Sequence, residues 1–127
     1  FMIKRIWSRN MAKKSLEDMV FDPSIITAED IDRMWAFSRY PGRMEAMFRE
    51  FADSWPDFTS DEIQGISTHA LLIWGEEDSI CPVELAEFYH AHLQHADMVV
   101  VPKVGHCPQM ECPERCVAEM LHWMGTA

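Results

Sequence analysis

The chain has 127 residues, 48% of them hydrophobic and 25% charged, within the range of one folded domain. A formal charge of −10 excludes a nucleic-acid role, which needs a basic footprint, and disfavours anionic membranes. No apolar run approaches the roughly 20 residues of a membrane-spanning helix, and Cys81, Cys107, Cys112 and Cys116 read as reduced thiols of a cytoplasmic protein rather than a disulfide framework.

In chain order, Ile3, Ile6 and Trp7, then Met11, Leu16, Met19 and Val20, fit amphipathic helix with an interruption near Ser8-Arg9-Asn10. The chain begins inside that pattern, so its true start is expected upstream. Asp22-Pro23-Ser24 is a turn signal. Thr27 reads as the cap of the next helix, with Glu29 and Asp30 in its first turn, where the helix dipole favours carboxylates. Ile31, Met34, Trp35 and Ser38 share one face, and Tyr40-Pro41-Gly42 ends the element. Met44, Met47, Phe48, Phe51, Ala52 and Trp55 form a wide apolar stripe that Pro56 stops. The polar stretch that follows has Ile63 and Ile66 as anchors.

Beyond it the character changes. Ala70 to Trp74 is apolar throughout, too short for a helix, and ends at Gly75, which suits a strand buried on both faces of a parallel sheet. Pro82 is placed early in a helix whose face is Val83, Ala86, Tyr89 and Leu93. Met98 to Val101 is a β-branched second strand, and Gly105-His106-Cys107-Pro108 is a loop. Pro113 opens a last helix with Val117, Met120, Leu121 and Met124 on its buried side. The second half is therefore a β–α–β–α unit. Asp78 and His106 stand just past the C-terminal ends of its two strands, the edge where parallel sheets bind ligands.

These residues carry a resemblance. Trp74-Gly75-x-x-Asp78-x-x-x-Pro82 followed by Gly105-His106-x-Pro108-x-x-Glu111-x-Pro113 resembles the C-terminal part of the α/β-hydrolases. Their triad runs in the chain order Ser, acid, His. The resemblance implies an α/β fold in which residues 1–42 are a helical cap and 43–127 the C-terminal part of the core. It implies a serine-type hydrolase of a small-molecule ester or carbon–carbon bond, with His106 as proton shuttle and Asp78 as the acid that orients it. Ile80, Cys107 and Trp35 are the candidate substrate contacts, while Glu76 and Glu77 are expected to be exposed bystanders. Within the family, Met19 to Thr27 is similar to the cap of the hydrolases of ring-cleavage products. The chain departs from that group at Cys107 and Met110, where tryptophan is common.

None of the eight serines lies in the family's Gly-x-Ser-x-Gly elbow. The chain is therefore expected to be a C-terminal portion whose partner is the missing N-terminal half of the fold, and to be inactive alone. A non-catalytic binding or oligomerisation module is the alternative, and self-association fits both. No cofactor or metal is expected: Cys112-x-x-x-Cys116 would have to bind an ion along a helix, with Pro113 between them.

Overall fold

The computed structural model describes residues 7–52 and 58–125, with backbone alone at 48 and 50–52. The expectations for Ile3, Ile6, Trp55 and Pro56 fall outside it, as do those for the side chains of Phe48, Phe51 and Ala52. Among the described residues there are two compact units, one made of 7–17 and 23–52, the other of 18–22 and 58–125.

The helical unit contains α1 (Arg9–Met19) up to residue 17, a 3₁₀ turn at Pro23–Ile25, α2 (Ala28–Ser38) and α3 (Arg43–Ala52). Thr27 caps α2 as its sequence predicts. Its hydroxyl accepts from the Asp30 N–H at 3.2 Å, and the Asp30 carboxylate accepts the Thr27 N–H at 3.0 Å. This reciprocal pair satisfies two of the donors that a helix start leaves open. On the expected face Ile31 and Ser38 are buried and Met34 and Trp35 half-buried. Gly42, at φ 82°, reverses the chain so that α3 packs back on α2, and Met44 is buried.

The sheet unit runs α4 (Ser60–Gln64), β1 (Ala70–Gly75), α5 (Val83–His92), β2 (Ala96–Val101), α6 (Pro108–Glu111) and α7 (Pro113–Trp123). β1 and β2 are parallel and in register from Ala70↔Ala96 to Gly75↔Val101. Antiparallel strands can be joined by two residues, whereas parallel ones need a crossover, supplied here by α5, which packs on both strands. Of the two expected anchors, Ile63 is buried and Ile66 is exposed. At the far end of the sheet His69, Asp97 and Trp123 tie β1, β2 and α7 together. The Trp123 indole donates to Asp97 at 2.8 Å, and His69 lies 3.3 Å from the same carboxylate.

Two burial expectations are corrected. Of the strand residues, only Gly75 and Val101 are buried, because two strands alone cannot cover both their faces. On α7 the buried residue is Cys116, whereas Val117, Met120, Leu121 and Met124 are exposed, Met124 at 58%. Helical spacing says which side chains share a face, not whether anything covers it.

Two outcomes follow from this packing. The chain by itself should associate or unfold over a broad, non-cooperative range, since unpaired parallel edges and an uncovered apolar helix face are association surfaces. Sedimentation and urea unfolding would read this, and a monomeric cooperative transition would contradict it. Gly75→Ala should destabilise the sheet unit by about 3 kcal/mol, the upper end of overpacking costs. A Cβ there would lie 2.1 Å from the Gly105 carbonyl oxygen. Hydrogen exchange of the β1 and β2 amides would register the loss.

Candidate active site

The acid loop leaves β1 at Gly75. The Glu76 N–H donates to the Val101 carbonyl and the Glu77 N–H to the Val104 carbonyl, each at 3.0 Å, so the loop remains laced to the chain leaving β2. The Trp74 indole donates to the Cys81 carbonyl at 2.8 Å and holds the far side of the turn. Asp78 is thereby turned inward, with only 8% of its surface exposed. Its Oδ1 accepts the N–H groups of Ile80 at 2.9 Å and Cys81 at 2.8 Å.

The histidine loop leaves β2 through Lys103, which takes the left-handed backbone at φ 59°. It returns through Gly105 against the backbone of Met19 to Phe21, where a Cβ on Gly105 would meet the Met19 carbonyl oxygen at 2.9 Å. The His106 N–H donates to that same carbonyl at 2.7 Å. Its ring then meets Asp78, with Nδ1 lying 2.9 Å from Oδ2 and 3.1 Å from Oδ1. A carboxylate only accepts, so Nδ1 carries a proton, and in the neutral ring the lone pair is on Nε2. The imidazole is 30% exposed and the carboxylate 5%, which leaves the ring as the reachable member of the pair.

Burial alone would raise the Asp78 carboxyl, but the Cys81 N–H, the His106 ring and the Ile80 N–H, all donating to it, outweigh burial and hold it below the usual carboxylate range. The nearby thiols go the other way. Burial and then the Asp78 charge push Cys81 up, and burial, Glu111 and Asp78 push Cys107 up. Both remain neutral thiols at pH 7 and are poor nucleophiles.

A cleft of about 200 Å³ opens beside the pair, lined by Ile73, Trp74, Gly75, Asp78, Cys81, His106, Pro108 and Gln109. Neither Ile80 nor Cys107 lines it: Ile80 is 51% exposed and Cys107 is buried. Trp35 belongs to the helical unit, where the Arg39 guanidinium lies over its ring. Cys81, which the sequence did not single out, lines the cleft. Asp78, Cys81 and His106 offer oxygen, sulfur and nitrogen within 4.8 Å of one another, but hydrogen bonds already engage both Asp78 oxygens. Glu77 is exposed as expected yet is no bystander, since its carboxylate accepts the Val104 N–H at 3.1 Å.

The lowered Asp78 carboxyl sets a pH dependence. Its contribution to stability is complete above the unfolded-chain value of about 3.9 and is lost as pH falls through the lower folded value. The ¹³C titration of the Asp78 carboxyl should therefore have its midpoint below 3.9, and a midpoint at or above it would refute the assignment of the donors.

The alpha/beta hydrolase family model matches residues 2–119. An uncharacterized hydrolase of Bacillus subtilis, YugF, is 33% identical over 112 residues, covering 88% of this chain and 41% of that protein. A pimeloyl-[acyl-carrier protein] methyl ester esterase of Nitrosomonas europaea is 38% identical over 63 residues, covering 47% of this chain and 25% of that one. Among solved structures, the 2-hydroxy-6-oxo-6-phenylhexa-2,4-dienoate hydrolase of Rhodococcus sp. strain RHA1 superposes with a TM-score of 0.78 at 19% identity, over 91% of this chain and 43% of that one. This likeness is one of fold. The chain spans less than half the length of each of these relatives. With its parallel strand pair, its crossover helix and a family match along nearly its whole length, the chain belongs to the alpha/beta hydrolase family.

Proposed function

We propose that this chain is the acid- and base-bearing C-terminal portion of a serine-type hydrolase that cleaves a small-molecule ester or carbon–carbon bond in the cytoplasm. The observation that carries the reading is the Asp78–His106 pair at the strand tips, with Nδ1 held by a buried carboxylate and the ring reachable from outside. His106 Nε2 takes the proton of an attacking serine and returns it to the leaving group, while Asp78 fixes the tautomer and stabilises the imidazolium that forms between the two transfers. The serine and the oxyanion donors come from the partner in this proposal, the N-terminal portion of the same fold. The exposed apolar face of α7 and the unpaired strand edges are surfaces suited to it. In this reading residues 1–42 are a cap segment and Trp35, Ile80 and Cys107 are candidate substrate contacts, of which Ile80 and Cys107 stand outside the cleft beside the pair. The ester alternative draws on the Nitrosomonas relative, and the carbon–carbon alternative on the fold likeness to the Rhodococcus enzyme.

The same uncovered surfaces favour a second reading, a non-catalytic module that only binds or oligomerises. Co-expression with an N-terminal hydrolase half carrying Gly-x-Ser-x-Gly separates the two. The hydrolase reading expects a fluorophosphonate to label the serine of the assembled pair and p-nitrophenyl acetate to be turned over. Asp78→Asn should then lower turnover about 10⁴-fold, as in the serine-protease template. A pair that assembles without labelling supports the binding module, and near-intact turnover in D78N would remove Asp78 from the mechanism.

A further inference from the structure

Three successive amides of the histidine loop point inward, at Gly105, His106 and Cys107. The His106 N–H has the Met19 carbonyl, and the other two share one acceptor. Glu111 Oε1 takes the Gly105 N–H at 2.9 Å and the Cys107 N–H at 3.3 Å. Its second oxygen, Oε2, takes the Phe21 N–H at 2.7 Å. The backbone of Glu111 closes the same turn, its N–H donating to the Cys107 carbonyl at 3.0 Å. One half-buried carboxylate thus grips the loop on both sides of the histidine and fastens it to the 18–22 segment, where the His106 N–H also bonds.

We infer that Glu111 is a positioning residue that sets where the His106 imidazole stands against Asp78. The inference rests on the proposal that His106 is the base. Both carboxylate oxygens are used, so an amide cannot replace them. Glu111→Gln leaves one oxygen acceptor and turns an NH₂ toward an N–H donor. A side chain that merely capped α6 would tolerate that exchange without moving the imidazole.

The test is the ¹H resonance of the His106 Nδ1 proton, which the short bond to Asp78 shifts far downfield and shields from exchange. D78N identifies it by abolishing it. E111Q should lose this resonance while its far-UV circular dichroism stays unchanged, and an unchanged resonance would overturn the proposal. Should E111Q fail to fold, hydrogen exchange of the unsubstituted chain decides. The Gly105 and Phe21 amides should both exchange on the order of tenfold or more slower than free peptide, as expected of bonds to a charged acceptor. A Phe21 amide exchanging at the free rate would refute the staple. The proton and the amides belong to this chain whether or not a serine is supplied. Failure of the hydrolase reading would show instead as absent fluorophosphonate labelling.

Discussion

The site depends on a close approach of bare backbone. Gly75 ends β1 with the Gly105 carbonyl so near that no Cβ fits between them, and Gly105 in turn lies against the backbone of Met19 to Phe21. Three chain segments are layered there at distances that only glycine permits. The acid loop and the histidine loop leave neighbouring strands, and this layering keeps them from splaying apart beyond the strand ends. The hydrogen bonds from Glu76 and Glu77 to the carbonyls of Val101 and Val104 then fix the one against the other.

On that frame the electrostatics of the pair follow. Asp78 is removed from water, which by itself would favour the neutral acid. Two backbone N–H groups and the imidazole, all aimed at its oxygens, overcome this and keep it ionised. An ionised, immobile acceptor gives the histidine one tautomer, so that Nε2 is the ring nitrogen presenting a lone pair. The surrounding thiols, raised by burial and by negative neighbours, do not compete as nucleophiles or as bases. In the proposed role the pair accepts a proton on its outer face and holds the resulting cation.

The rest of the sheet unit is less complete than its chemistry. A parallel pair of apolar strands is an interior motif, yet here most strand residues remain half-buried and one face of α7 stands uncovered. The Asp78–His106 geometry is nonetheless formed, because it rests on local bonds between the two loops and the 18–22 segment rather than on the coverage of the sheet.

The sequence by itself determined the elements and the pair. The apolar runs ending at Gly75 and Val101, the cap at Thr27, Pro113 at the start of the last helix, and Asp78 and His106 at the strand tips are all local in cause: backbone propensity, capping chemistry and spacing. The tertiary structure alone decided what meets what. That α3 packs back on α2, that Cys116 and not Val117 is covered, and that Cys81 rather than Ile80 lines the cleft are matters of tertiary neighbours, which periodicity does not encode. The tasks of Glu77 and Glu111 were hidden for the same reason. Glu77 looks, in sequence, like any other surface charge, and Glu111, though it stands in the motif that carries the resemblance, shows there none of the amides it accepts; only the approach of a distant segment gives either its work.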